Sequence, residues 1–198
     1  MIITIAGFKG GIGKTTTAVH LAAYLNQKNA TVLIDGDPNR SSMSWAAQGE
    51  LPFTVVDENQ AVKVARKFEH IVIDTPARPE MEELESLAEG CDLLILPTSP
   101  DFLALTALGS NVETLKRLNV SNFKILLTIV PPKPSTTGIE AQAYLKDLGL
   151  PVFNTMIRRL AVYQKAPLEG CICANVKSDK YGGIAWRNCE ELGREIYG

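Results

Sequence analysis

Near its amino end the chain concentrates glycine, lysine and threonine in the stretch FKGGIGKTTT, which runs from Phe8 to Thr17. A short apolar run precedes this stretch and a helical pattern follows it, which is the context that a phosphate-binding loop requires. The glycines let backbone N–H groups approach phosphate oxygens, Lys14 supplies a positive charge for the β- and γ-phosphates, and Thr15 offers a hydroxyl to Mg2+. We therefore expect the nucleotide to contact Gly10, Gly11, Ile12, Gly13, Lys14, Thr15 and Thr16.

This loop is a variant of the usual pattern. The usual spacing, G-x-x-x-x-G-K-[ST], would place glycine at position 8, where this chain has Phe8, and Gly7 comes one residue early. A second lysine, Lys9, lies beside this departure and five residues before Lys14. Because the strand, turn, lysine and threonine are all in place, we interpret the stretch as a nucleotide site rather than a purely structural glycine turn.

Two further stretches place aspartates after apolar strands. In VLIDGDPNRSS, Asp35 and Asp37 are spaced two apart, which lets both point from the strand end toward the phosphates. One carboxylate would hold Mg2+ through water and the other would orient the attacking water. In HIVIDTPA, four residues of apolar strand lead into Asp74, which is the Walker B arrangement for the magnesium shell.

Short apolar runs alternate with longer helical patterns along the chain. The runs are rich in Ile, Val and Leu without polar alternation, so we expect strands that are buried on both faces. They are Ile2–Ala6, Thr31–Asp35, Phe53–Val56, His70–Asp74, Asp92–Pro97, Lys124–Val130 and Pro151–Asn154. The expected helices are Lys14–Lys28, Ser42–Ala47, Asn59–Phe68, Glu80–Glu89, Phe102–Leu118 (with Asp101 as its N-cap), Gly138–Leu148 and Gly183–Tyr197. The alternation predicts an α/β fold, a parallel twisted β-sheet flanked by helices on both faces, in a single domain over residues 1–198.

Four stretches together resemble the deviant Walker ATPases of the ParA/MinD family of P-loop proteins, and the resemblance covers nearly the whole chain. KGGIGKTT (Lys9–Thr16) is similar to the family's K-G-G-x-G-K-T-T box, DGDP (Asp35–Pro38) to its second acidic motif, and VIDTP (Val72–Pro76) to its Walker B motif. IRRLAVYQKAPLEG (Ile157–Gly170) resembles a later segment that lies near the adenine pocket of the family.

The resemblance implies an ATPase that uses ATP and Mg2+ and forms a homodimer with ATP. In the family the early lysine, here Lys9, crosses the dimer interface to the partner's ATP, as an arginine finger does in other enzymes. Lys9, Lys14 and Asp37 are then the expected catalytic residues, with Asp37 positioning the attacking water. The expected magnesium-shell residues are Thr15, Asp35 and Asp74.

The adenine end of the nucleotide is expected near three other residues. Pro131 opens the irregular segment PPKPSTTG, which follows a predicted strand at the edge where open α/β sheets place ligands. Ile157 and Arg158 belong to the later segment of the resemblance. We therefore expect Pro131, Ile157 and Arg158 to bind the cofactor.

The net charge of −2 hides an asymmetry along the chain. The segment from Asp57 to Asp92 has ten acidic and four basic residues, whereas the segment from Val152 to Arg187 has six basic and two acidic residues. On charge alone a solvated face explains the basic segment. The resemblance adds a second interpretation, because ParA-like partition proteins bind DNA nonspecifically as ATP dimers, which needs only Lys and Arg on one face. The candidates for DNA binding are Arg159, Lys165, Lys177, Lys180 and Arg187.

The chain resembles a small ParA-like subclass that includes plasmid partition ATPases and carboxysome-positioning ATPases. SPDFLAL and TIVPPKPS are most similar to the carboxysome group, whereas TPARPE, after Asp74, departs from many relatives. The expected function is slow, partner-stimulated ATP hydrolysis that positions a cargo. The partner would be an adaptor protein or a centromere-binding protein. The alternatives are a MinD-like regulator at a membrane surface and a metabolic P-loop ligase of the dethiobiotin-synthetase type.

The sequence also predicts where the protein works. The first residues lack the basic start of a signal peptide, and no apolar stretch approaches the length of a membrane span. The final pattern, GIAWRNCEELGREIYG, has a mixed-charge polar face, so we interpret it as a core-packing helix rather than a membrane anchor. We expect a cytoplasmic, nucleoid-associated protein that does not bind membranes and whose four cysteines are free thiols.

Overall fold

Seven strands and eight α-helices alternate along the chain in a computed structural model that describes residues 1–198 apart from the side chains at positions 81 and 110. The strands are β1 (Ile2–Gly7), β2 (Thr31–Asp35), β3 (Thr54–Asp57), β4 (His70–Ala77), β5 (Leu93–Thr98), β6 (Phe123–Val130) and β7 (Val152–Arg158). The helices are α1 (Lys14–Asn26), α2 (Ser41–Ala46), α3 (Glu58–Val64), α4 (Met81–Glu89), α5 (Phe102–Arg117), α6 (Thr137–Asp147), α7 (Val162–Lys165) and α8 (Gly182–Tyr197). Two 3-10 turns lie at Ala65–Lys67 and Cys173–Asn175.

All seven strands form one parallel sheet in the order β3-β2-β4-β1-β5-β6-β7. The central strand β1 lies between β4 and β5, and Asp74 in β4 pairs with Ile5 of β1 and with Asp35 of β2. Because the strands are parallel, their carboxyl ends meet at one edge of the sheet, where this fold class places ligands. The predicted fold class is confirmed.

Burial follows the position of each strand in the sheet. Strands β2 and β5 have nearly continuous buried runs, as predicted for strands covered on both sides. The prediction is wrong for the edge strands, since β3 exposes Thr54 and β7 exposes Asn154 and Arg158. An edge strand has a neighbour on one side only and is less completely covered.

Two strands extend three or four residues further than the sequence pattern indicated, and both extensions affect the site. Strand β4 continues three residues past Asp74, so that this carboxylate lies inside the sheet rather than at a strand end. Strand β7 continues past Asn154 to Arg158, which carries Ile157 and Arg158 to the carboxyl edge.

Helix α8 belongs to the core, as predicted. Its buried face includes Ala185, Cys189 and Leu192, which join the same apolar cluster as residues of α1 and β1. Gly193 lies so close to the ring of Tyr24 that a methyl group at that position would overlap it. The apolar face of α8 is therefore used inside the protein. Within the described residues, no helix is both long and apolar enough to cross a bilayer.

The helix after the glycine loop, α1, is tied to the carboxyl-terminal part of the chain through a buried histidine. His20 Nε2 accepts the backbone N–H of Cys173 at 2.9 Å, so the proton of the neutral ring is on Nδ1, which donates to Thr16 O at 2.7 Å. The rings of Trp45 and Tyr163 meet the imidazole edge-on. Burial lowers the pKa of His20 to about 4, against an opposing contribution from the Thr16 hydrogen bond.

Trp45 extends this connection to α2, because its indole N–H donates to Cys171 O at 3.0 Å. Beside it, two backbone segments touch at Gly49 and Gly170. Gly170 has a φ of 60°, and a Cβ on it would lie 2.1 Å from the nitrogen of Gly49. Only glycine fits this junction, since it must supply both the left-handed backbone and the close approach.

The buried, neutral state of His20 predicts a specific loss of stability in acid. Its folded pKa of about 4 lies below the unfolded value of 6.5, so its contribution is present above pH 6.5 and is lost as the pH falls toward 4. A difference of that size corresponds to a loss on the order of 3 kcal/mol in the free energy of unfolding. His20→Gln should be less stable than the wild type at pH 7 but lose less stability between pH 7 and pH 5, measured by urea unfolding at each pH.

The comparison of wild type and variant cancels the contributions of the other titrating groups to the pH dependence of stability. These include Asp74, whose raised pKa favours the folded state as the pH falls. Equal losses of stability in wild type and variant over this pH range would contradict the prediction.

Candidate nucleotide site

A cleft of about 870 Å3 opens at the carboxyl edge of the sheet. The glycine loop and the start of α1 form one wall, and the segment after β2 contributes Asp37 and Asn39. The ends of β5, β6 and β7 form the remaining walls, with Pro131, Ile157 and Arg158 among the lining residues. The structure thus brings most of the predicted nucleotide contacts together, from segments far apart in sequence.

The glycine loop is shaped to bind an anion. Gly11 and Gly13 have φ values of 73° and 84°, which side-chain-bearing residues rarely adopt. Gly13 is the N-cap of α1 and no side chain caps the first turn, so the amino end of a 13-residue helix faces the cleft with its N–H groups available. Lys14 also lines the cleft and is largely buried.

The loop is held by contacts of Thr128, which also lines the cleft, and of Ile12, neither of which the sequence indicated. The hydroxyl of Thr128 donates to Ile12 O at 2.7 Å, with Thr98 O as a longer second partner at 3.2 Å. The Ile12 side chain is buried beneath the loop next to Gly7, so a nucleotide would meet only the backbone of this residue. Thr128 therefore positions the loop from β6, which lies two strands away from β1 in the sheet.

The two lysines of the loop have different surroundings. Lys14 points into the cleft, whereas the Lys9 side chain is 47% exposed on the rim, and its Nζ lies 3.9 Å from a carboxylate oxygen of Asp101. Asp101 also accepts the backbone N–H of Ala104, which confirms it as the N-cap of α5. A hydrogen bond from Ser99 is the main cause of the lowered pKa of Asp101, and Lys9 contributes less. An exposed pair of this kind is weak, so Lys9 is available to a stronger anionic partner.

Asp74 is fully buried, and one of its oxygens is left without a partner. Its Oδ2 accepts the hydroxyl of Ser42 at 2.9 Å, whereas its Oδ1 makes no hydrogen bond of regular geometry, although the Thr15 hydroxyl lies close enough to lower the pKa of the carboxyl. Burial raises the pKa of Asp74 to about 6, against the opposing effects of Thr15, Ser42 and Lys14. An unpartnered buried carboxylate oxygen beside a threonine hydroxyl fits Mg2+, a hard cation that prefers oxygen ligands.

The described residues contain no group of three or more His, Cys, Asp or Glu side chains that could enclose a metal. Mg2+ usually keeps several waters and takes its other ligands from substrate phosphates, so it needs few protein ligands. Thr15 and Asp74 are the protein groups that would hold it.

Asp35 and Asp37 do not point the same way, contrary to the expectation from their spacing. Asp35 is fully buried, and its two oxygens accept the backbone N–H groups of Asp37 and Met43 at 3.1 and 2.8 Å. The chain turns at Gly36, whose N–H bonds to Asp74 O, and of the two aspartates only Asp37 then lines the cleft. Asp35 thus organises the loop, and its membership of the magnesium shell stays a prediction.

Asp37 is held in place by a neighbour that lines the same cleft. Its Oδ1 accepts both the backbone N–H and the side-chain amide of Asn39, each at 2.9 Å. The D-P-N order was a local signal for this contact, because an aspartate commonly bonds the backbone two residues on. The arrangement leaves Asp37 with a fixed carboxylate at the cleft, suited to orienting a water.

The structure separates the five basic residues proposed for DNA binding. Arg159 lines the nucleotide cleft next to Arg158, and Lys165 forms an ion pair with Asp179 at 2.9 Å. The other three, Lys177, Lys180 and Arg187, are exposed. Their role in DNA binding stays a prediction.

Comparison with known proteins places this cleft in a family context. Residues 3–171 match the family model of the CobQ/CobB/MinD/ParA nucleotide binding domain. The chain is 34% identical over 176 residues to the maintenance of carboxysome distribution protein A of Gloeobacter kilaueensis, which covers 85% of this chain and 82% of the relative. It is 30% identical over 181 residues to the protein of the same name from Halothiobacillus neapolitanus, with 85% and 84% covered.

The fold is also similar to a solved structure. A variant of Cyanothece McdA in complex with ATP superposes with a TM-score of 0.76 at 16% identity, covering 98% of this chain and 95% of the other.

The contact between Thr128 and the loop gives a prediction about nucleotide affinity. Thr128→Val keeps the shape of the side chain but leaves Ile12 O without its donor, so we expect ADP to bind about five- to tenfold more weakly, equivalent to roughly 1 kcal/mol. Thr106→Val is the matched control, because its hydroxyl donates to Phe102 O on the exposed side of α5. Calorimetric titration with ADP measures both, and equal affinities for the two variants would contradict the role of Thr128.

Proposed function

This chain belongs to the CobQ/CobB/MinD/ParA family of nucleotide-binding ATPases, and from that membership and the site we propose that it is a positioning ATPase. It closes into a homodimer on Mg2+-ATP, and the dimer binds DNA nonspecifically. A partner protein carried by the cargo stimulates hydrolysis and so returns the ATPase to its monomeric form. Its place of work is then the cytoplasm, on the nucleoid.

The placement of Lys9 is the observation that carries this proposal. Lys9 is on the phosphate-binding loop but does not line the cleft of its own subunit, and its ion pair with Asp101 is exposed. Binding of the nucleotide in the same subunit therefore does not explain its position. If a second subunit closes over the cleft, Lys9 reaches the phosphates of that subunit's nucleotide and makes dimer formation depend on the γ-phosphate. Lys14 binds the phosphates in the same subunit.

Each remaining residue of the site has one task in hydrolysis. Thr15 and Asp74 would hold a magnesium ion, which would supply positive charge to the phosphates. Asp37, fixed by Asn39, orients the attacking water in line with the γ-phosphate. Pro131, Ile157 and Arg158 enclose the base end of the nucleotide. Positioning and charge compensation are the main demands of phosphoryl transfer, and these groups meet both.

The relatives favour the carboxysome as cargo. Two of them carry the name maintenance of carboxysome distribution protein A and match more than four fifths of both chains. The partner is then a small adaptor on the carboxysome, whereas a plasmid cargo would use a centromere-binding protein. A MinD-like membrane role is less well supported, because the apolar face of α8 is buried in the core. A ligase of the dethiobiotin-synthetase type would hydrolyse ATP without regard to DNA or partner.

The role of Lys9 predicts how the oligomeric state depends on nucleotide. In the wild type, ATP but not ADP should double the mass measured by multi-angle light scattering. Lys9→Ala should stay monomeric with ATP while its affinity for ADP remains within about twofold of the wild type, since Lys9 lies outside its own cleft. Lys63→Ala, which removes an exposed lysine from α3, is the control and should dimerise normally.

Dimerisation and full hydrolysis in Lys9→Ala would rule out action across the interface. Asp37→Ala should bind ATP without hydrolysing it. The light-scattering comparison can therefore be repeated in this variant, with the nucleotide intact throughout.

The DNA interface predicts a change in salt dependence. Lys177→Glu should weaken binding of the ATP-bound protein to DNA of any sequence. It should also reduce the magnitude of the negative slope of log affinity against log salt by about one. Lys63→Glu makes the same charge change in the acidic segment from Asp57 to Asp92 and should leave the slope unaltered. The measurement is fluorescence anisotropy of a labelled duplex over a salt series. Equal slopes for the two variants would exclude Lys177 from the interface.

A further inference from the structure

Ser42 contacts the buried carboxylate that is expected to face the metal. Both Ser42 and Asp74 are fully buried, and the serine hydroxyl donates to Asp74 Oδ2 at 2.9 Å. We propose that Ser42 is a positioning residue for the magnesium shell, which fixes the Asp74 carboxylate so that Oδ1 remains for the cation. The proposal rests on the magnesium–nucleotide function set out above.

Local structure does not account for the direction of this hydroxyl. Serine near the start of a helix commonly bonds the backbone of its own first turn, but Ser42 on α2 reaches across to β4, 32 residues away in sequence. A hydroxyl has one proton to donate, and here it goes to one carboxylate oxygen while the other oxygen stays unpartnered. Ser44, on the same short helix, is exposed and provides a comparison.

The same contact joins the metal side of the site to the segment that carries Asp37. Asp35 accepts the N–H of Asp37 through Oδ1 and that of Met43 through Oδ2. It therefore clamps both ends of the segment from 37 to 43, with Asp37 at one end and Ser42 beside the other.

Arg40 adds a third attachment within this segment, because its guanidinium donates to the backbone oxygen of Asp35 at 2.9 Å. Arg40 holds a left-handed φ of 52°, which places the segment in one specific turn before α2. Through Ser42, this unit has a direct hydrogen bond to the carboxylate of the magnesium shell. The Ser42 hydrogen bond thus couples the segment of the water-orienting aspartate to the side chain of Asp74, in addition to the backbone bond from Gly36 N–H to Asp74 O.

The experiment measures how strongly nucleotide binding depends on magnesium. Binding of a fluorescent ADP analogue is followed during titration with MgCl2, and separately in EDTA. Loss of a residue that orients a metal ligand typically costs 10- to 100-fold in metal affinity, so Ser42→Ala should raise the MgCl2 concentration at half-maximal effect by about that factor. Its affinity in EDTA should stay within twofold of the wild type. Ser44→Ala should match the wild type in both measurements.

A series of replacements separates hydrogen bonding from packing. Ser42→Thr retains the donor, Ser42→Cys retains the size with a weak donor, and Ser42→Ala retains neither. The magnesium midpoint should increase in the order Ser, Thr, Cys, Ala, following donor strength. A midpoint for Ser42→Ala within twofold of the wild type, or an order that follows side-chain volume, would overturn the proposal. If Ser42→Ala does not fold, Ser42→Cys is judged by the same twofold limit.

The wild-type titration keeps the two proposals distinguishable. If wild-type ADP binding depends on magnesium and Ser42 variants show no shift, the positioning role alone fails. If wild-type binding is indifferent to magnesium, the proposed function fails as well.

Discussion

Two buried carboxylates on neighbouring strands determine the architecture of the site. Asp35 and Asp74 are paired in register and both are fully buried, which is costly for charged groups unless donors or cations compensate. Asp35 is satisfied by two backbone N–H groups, so the segment after β2 must fold back to supply them. Asp74 is satisfied only on one oxygen. The Asp74 oxygen that lacks a hydrogen bond lies near Lys14 and Thr15. This arrangement makes the carboxyl edge of the sheet suitable for a cation and a polyphosphate.

Local sequence patterns predicted the parts of the site that depend on local structure. The glycine loop, the order of strands and helices, and the N-cap at Asp101 all depend on neighbouring residues, and the structure contains each of them. The contacts of Ser42 and Thr128 join segments 32 and 116 residues apart, so no local spacing could indicate them. The direction of Asp35 was also hidden, because it depends on how the next eight residues return to it. The extension of β7 to Arg158 depends on pairing with β6. The apolar pattern of the β7 segment alone does not indicate this pairing.

The two lysines of one loop show how a small shift in sequence changes the physical role of a charge. Lys14 sits at the start of α1, where the loop geometry aims it into the cleft, whereas Lys9 emerges before the glycines and lies on the rim. A buried lysine needs a permanent counter-charge, and the phosphates would supply it. An exposed lysine beside Asp101 exchanges partners at little cost. The loop therefore combines a fixed charge with an exchangeable one within six residues.

The junction at Gly49 and Gly170 has a consequence for how such chains diverge in evolution. The two backbones meet there without an intervening side chain, next to the Trp45 and His20 contacts that hold the segment after α7 against α1. A side chain at either glycine would collide with the backbone at the other. An inserted residue would move the Trp45 indole away from its acceptor, Cys171 O. Packing therefore constrains the lengths of the two segments that meet at this junction. A pair of glycines outside the nucleotide cleft thereby fixes the spacing between the segment after α2 and the segment after α7.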